Sequence, residues 1–287
     1  MQRTEPVPDG VEGLQSLALQ GRWREVAKRC ASTTATDTAA ALTVAAYHTL
    51  AFLKLKMLDH AAAELSKLGR FNDGAYMSKG QSLVPFALRI MAAEVPWRLG
   101  RQQQAVDRLY ALLDWCAARQ AEAVSKGGAA GDATALPASS NHLHQLWQRR
   151  HRDTLLALVN KHCQLRQYVP ALSLLNQLLR ADVSDAEAWA EAGTVQAMLG
   201  DLSTAQHTLK HAEQLLLAGR GGGTAGEQDA AHQRQWRQLL VHRNRGLLSF
   251  LQRDYRGAAN EFAAALAVDP ADAAATSNHA ASCTAAS

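Results

Sequence analysis

The chain has 287 residues, 47% of them hydrophobic but only 6% aromatic, and the apolar share is dominated by alanine and leucine, both good helix formers. A formal net charge of +4 is too small to make an electrostatic case for nucleic acid, and no apolar run approaches the ~20 residues that cross a bilayer. Cys30, Cys116, Cys163 and Cys283 are scattered without a Cys-x-x-Cys pair and without a secretory leader, so the expectation is a reducing, cytoplasmic compartment.

No stretch alternates Val, Ile, Thr or aromatic residues between turns, which makes the class all-α. In chain order, residues 1–13 are polar with Pro6 and Pro8 and read as a flexible N-terminus. Residues 14–124 read as degenerate helical repeats. The first is a helix-turn-helix unit at 14–30, with Gly21-Arg22-Trp23 at its turn and the small-residue position taken by Val26. The next, at 42–68, turns near Met57-Leu58 and places Ala61 35 residues after Val26, with Gly69 as its C-cap. Residues 70–82 read as a connector. A third unit at 83–118 starts at Pro85, turns at Leu99-Gly100-Arg101 and carries Ala105, Leu109 and Leu112 on its second helix. Pro96 lies inside its first helix and predicts a kink or an early end near Glu94 to Val95.

Residues 125–141 collapse to Gly, Ala, Ser and Pro, the composition of a flexible insertion. The block 142–272 is the most regular. Tyr168 and Ala171 mark one unit; Trp189, Gly193, Gly200, Ala205 and Ala212 mark the next, with Ala205 34 residues after Ala171. That spacing is the tetratricopeptide period, in which small residues let two antiparallel helices touch. Gly246, Tyr255, Ala258, Phe262, Ala265 and Pro270 mark a further unit, its spacing widened by a glycine-rich loop within 218–230. Residues 273–287 read as an incomplete repeat, cut short. The expected architecture is a right-handed α-solenoid of antiparallel helix pairs.

Chemistry is thinly represented. His207 and His211 have the i, i+4 spacing for a shared metal but no third ligand nearby, and read as surface histidines. His142 and His144 open a helix beside the insertion. Gly219 to Gly226 lacks the Gly-Lys-Ser/Thr ending of a phosphate loop, and no hydrolase or zinc-protease motif occurs, so neither cofactor, metal nor catalytic residue is expected. Two basic clusters, one at 149–152 and one of Arg234, Arg237, Arg243 and Arg245 around Trp236, fit solvated faces or protein contacts better than nucleic acid. Trp23, Trp97, Trp147, Trp236 and Arg150 are the candidate interface residues, while Trp189 is assigned to the core. A peptide groove of the carboxylate-clamp kind would use Asn160, but Glu187 and Glu191 would repel a terminal carboxylate.

The segments Gly21-Arg-Trp-Arg-Glu-Val26, Leu83-Val-Pro-Phe-Ala-Leu-Arg89, Ala93-Glu-Val-Pro96, Gln145-Leu-Trp-Gln-Arg-Arg150 and Tyr168-Val-Pro-Ala-Leu172 together resemble the subunit 12 family of the trafficking protein particle (TRAPP) complex. The resemblance runs from about Leu14 to Ala280 and is most specific from Val84 to Leu113. It implies a non-enzymatic scaffold of a vesicle tether acting in endoplasmic reticulum to Golgi transport and autophagy. Its partners would be other TRAPP subunits, large accessory ones among them, and a Rab GTPase reached only through the complex core. It implies residence in the cytoplasm at the periphery of those membranes, without insertion into them. The alternative is a stand-alone peptide-binding adaptor such as a co-chaperone.

Overall fold

The computed structural model describes residues 10–78, 81–128, 138–218 and 227–286. The centre of the expected insertion at 125–141, most of the loop at 218–230 and residues 1–9 lie outside the described residues. The chain divides into two compact units, Met1–Thr154 and Leu155–Ser287. The first holds α1 (Gly10–Leu19), α2 (Trp23–Ser32), α3 (Thr38–Lys54), α4 (Leu58–Leu68), α5 (Phe86–Arg98), α6 (Gln102–Gly128) and the start of α7 (Ala138–Gln164). The second holds the rest of α7, then α8 (Tyr168–Ala181), α9 (Ala186–Leu199), α10 (Leu202–Leu217), α11 (Glu227–Leu251), α12 (Tyr255–Val268) and α13 (Ala273–Ala286). The fold is all-α, built of antiparallel helix pairs.

One device recurs at the turn within each pair. Gly21, Lys56, Gly100, Arg166, Gly200 and Arg253 all have positive φ, between 58° and 89°. At each, the left-handed residue donates its N–H three residues back and the next residue donates five back, as in Arg166 to Cys163 and Gln167 to His162. This is the Schellman arrangement, which satisfies carbonyls that the helix end leaves open. Five residues further on stand Val26, Ala61, Ala105, Ala171, Ala205 and Ala258, every one with no exposed surface. The turn thus sets the phase at which a small side chain meets the partner helix.

The facing side is also matched in size. A Cβ built on Gly193 would come within 2.7 Å of Leu209, and one on Gly246 within 2.7 Å of the Phe262 ring. Phe262 is fully buried in the space that glycine leaves. Asp37, Asp185, Asp201, Asp254 and Asp272 cap the starts of α3, α9, α10, α12 and α13, each accepting from a backbone N–H three residues on.

Three sequence expectations change. The N-terminal segment does not stay irregular to residue 13, because α1 already begins at Gly10. The connector at 70–82 contains a 3₁₀ turn at Gly74–Tyr76 and a small hairpin, β1 (Met77–Ser78) antiparallel to β2 (Gln81–Ser82). Of the two outcomes expected at Pro96, the early end at Glu94 to Val95 does not occur, since α5 continues through Pro96 to Arg98. The physical reason lies on the neighbouring helix. Proline has no N–H for the carbonyl of Ala92, four residues back, and the Arg108 guanidinium of α6 donates to that carbonyl at 2.6 Å instead. Pro96 itself is buried, and its own carbonyl accepts the N–H of Arg101 in the turn.

This substitution of donors is measurable. Arg108→Met is expected to destabilise the fold by about 1 kcal/mol by leaving the Ala92 carbonyl short of a donor. In a Pro96→Ala background, where the backbone N–H returns, the same change should cost much less. Denaturant melts of the four proteins in that cycle check the coupling.

Candidate docking pocket

Two helix faces and one helix start converge in the first unit. On α6, Trp115, Arg119, Glu122 and Ala123 have i, i+4, i+7, i+8 spacing and share a face; on α7, Leu143, Leu146, Trp147 and Arg150, spaced i, i+3, i+4, i+7, share another. Pro85 caps α5, where its missing N–H costs nothing, and brings Phe86 to the same place. These side chains enclose a cavity of about 360 Å³.

The indoles of Trp115 and Trp147 meet edge to face, with ring centres 5.0 Å apart at 83°. Arg150 lies against two rings, its guanidinium carbon 4.5 Å from the centre of Trp147 and 5.1 Å from that of Phe86. Arg89 covers Trp115 at 4.0 Å, and Arg119 approaches it at 6.0 Å. Arg89 is buried and holds the connector, donating to Asn72 Oδ1 at 3.0 Å, the Phe71 carbonyl at 3.2 Å and Ser82 Oγ at 2.9 Å. Burial, aided by Arg119, pushes its pKa down from the ordinary guanidinium value, and burial does the same to Arg150. Arg119 pairs with Glu122 at 2.7 Å, while its Nε–H is buried and unpartnered among the described residues. Cys116 beneath them is fully buried, and that burial pushes its thiol up to about 11, which leaves it inert at neutral pH.

Of the five candidate interface residues, the fold brings Trp147 and Arg150 together in the first unit, where Trp23 and Trp97 lie elsewhere, and Trp236 belongs to the second unit. Trp23 packs onto the cluster of Leu14, Leu17 and Val26, with the Lys54 ammonium 5.8 Å from its ring. Trp97 is half-buried near the end of α5, and Trp236 is exposed on α11. The basic cluster around Trp236 is broken up by acids, since Arg245 pairs with Glu213 at 2.7 Å and Arg243 lies 3.6 Å from Asp272. Trp189 is not core: it is partly exposed, with its indole N–H donating to the Val183 carbonyl and its ring edge-on to His211 at 4.8 Å. His207 is exposed, and among the described residues no group of three His, Cys, Asp or Glu side chains could hold a metal ion. Trp115 and Arg119 lie on a helix face that the repeat pattern does not single out, and Arg89 enters the sequence reading only as the end of a family-like segment. The pairing of Trp115 with Arg119 at i, i+4 was the available signal.

In the second unit, Asn160 is exposed and its side-chain oxygen already accepts from Gln164 at 2.6 Å. Glu191 on α9 lies half-buried near Arg243 of α11. Burial raises its pKa above the usual carboxylate value and Glu187 adds to the rise, while Arg243 opposes it.

No protein-family model matches the chain. It is similar to trafficking protein particle complex subunit 12 of Mus musculus, at 23% identity over 239 residues that cover 79% of this chain and 28% of the mouse protein. The Homo sapiens subunit 12 aligns at 21% identity over the same share of this chain and 30% of its own length. The chain therefore spans less than a third of these relatives. Among solved structures it is similar to the C-terminal part of a TPR repeat-containing protein from Cytophaga hutchinsonii (12% identity, 93% of this chain and 98% of that one, TM-score 0.32). A tetratricopeptide repeat protein from Parabacteroides merdae matches at 11% identity over 95% and 97% of the two chains, with a TM-score of 0.41.

The Glu191 carboxyl makes stability depend on pH in a defined direction. Because its folded pKa is raised, its burden is present when the carboxylate is charged and disappears as the pH falls through that raised value. Glu191→Gln should raise the thermal midpoint at about pH 7, and the gain should shrink towards zero in acid. Thermal melts of both proteins across that range check the sign.

Proposed function

We propose that the chain is a non-catalytic docking subunit of a TRAPP-type vesicle-tethering complex, acting in endoplasmic reticulum to Golgi transport and autophagy. The observation that carries this reading is the similarity to mouse and human subunit 12 across 79% of the chain. Two of the segments that resemble that family, 83–89 and 145–150, fold against each other at the Phe86, Trp147 and Arg150 contacts. A surface shared by family segments distant in sequence is where a partner would be recognised.

In this role the chain binds other subunits of the tether, with a Rab GTPase engaged only through the rest of the complex. It works at the cytoplasmic periphery of endoplasmic reticulum and Golgi membranes. No helix among the described residues is long and apolar enough to cross a membrane. A carboxylate-clamp adaptor fits less well, because Glu187 and Glu191 occupy the helix that would have to attract a chain terminus and Asn160 is engaged locally.

Affinity purification of the tagged chain from its native cells, read by mass spectrometry, tests the proposal. Other TRAPP subunits should co-purify in near-stoichiometric amounts. Recovery of chaperones through their extreme C-termini, with no tether subunit, would overturn it.

A further inference from the structure

The pocket in the first unit is unbalanced in charge. Among the described residues, Arg119 and Arg150 line it against a single carboxylate, Glu122, which is already taken by Arg119. Arg150 has no acid partner among the described residues; its contacts are the faces of two aromatic rings. A guanidinium stacked on rings keeps its in-plane N–H donors free, because stacking uses the face and leaves the edge. The Nε–H of Arg119 is a further buried donor without an acceptor. Around these donors the walls are apolar: Leu143, Leu146 and Ala123. Leu143 is 42% exposed at the rim, a large apolar side chain left partly in water.

We propose that this pocket takes a segment of a partner protein in which an aspartate or glutamate adjoins a leucine-like or aromatic side chain. The carboxylate would accept from the free edge of Arg150, and the apolar side chain would fill the cavity against Leu143 and Leu146. A cavity of about 360 Å³ is at the small end of the range for ligand pockets and suits one or two side chains rather than a whole helix. Single-stranded nucleic acid fits worse. Base stacking needs an open aromatic face, and here Trp147 carries Arg150 and Trp115 carries Arg89. This inference deepens the docking reading by giving the chemistry of the contact, and it rests on that reading only for the identity of the partner.

The test is selection of a phage-displayed library of random 12-residue peptides on the purified full chain, followed by anisotropy measurements on the selected peptides. Enrichment of Asp or Glu next to Leu, Phe or Trp is expected. Arg150→Gln should weaken the selected peptides by about tenfold or more, the effect of losing a charge-assisted bidentate pair. Leu143→Glu, at the exposed rim, should weaken them as much by repulsion without entering the core, with an unchanged thermal melt showing that the fold is intact. Failure to select any binder, selection without acidic enrichment, equal binding by both variants, or displacement by oligothymidylate at comparable concentration would each overturn the proposal. Peptide binding without tether subunits in the purification would instead count against the TRAPP role alone, so the two failures are distinguishable.

Discussion

Each helix pair depends on one backbone residue in the left-handed region, five positions ahead of a side chain with no room to grow. Glycine fills that residue in three pairs, and Lys56, Arg166 and Arg253 fill it in the others, accepting a conformational cost of about 1 kcal/mol each. The cost is offset because the turn closes two backbone hydrogen bonds and delivers Ala61, Ala171 or Ala258 to the helix contact in phase. Size complementarity follows from that phase. Where the first helix offers Gly193 or Gly246, the second supplies Leu209 or Phe262 to fill the gap.

The departures from this regular scheme carry the functional interest. Pro96 is tolerated because Arg108 supplies the missing donor, so a lesion in one helix is repaired by its partner. The connector before α5 is tied down by Arg89, whose guanidinium at the same time roofs Trp115. The same unit then gathers four aromatic and cationic side chains, Phe86, Trp115, Trp147 and Arg150, into one pocket whose charge is not balanced among the described residues.

The repeat was legible in the sequence because its signal is local: a small residue, a turn and a fixed offset, as at Ala171, Gly200 and Ala205. What was not legible depends on contacts between distant segments. The fate of Pro96 turned on an arginine twelve residues later, on another helix, and nothing in the local pattern names that donor. Repeat position alone places Trp189 in the core, yet its indole N–H needs an acceptor and finds one at the Val183 carbonyl, at the edge. Trp147 and Arg150 are contact candidates in the sequence, but their convergence with Trp115 and Phe86 is visible only in three dimensions. Trp23 and Trp97 have equal standing in the sequence and do not join them.

The central claim is that the Trp147 and Arg150 pocket is a contact surface for an acidic partner segment. Site-specific photo-crosslinking tests it most directly, with benzoylphenylalanine placed at the rim position Leu143 and, as a control, at Leu19, which is 83% exposed in α1. The account predicts a crosslink from Leu143 to a tether subunit, through a peptide that contains Asp or Glu, and none from Leu19. Equal crosslinking from the two positions, or a Leu143 product confined to its own chain, would contradict it.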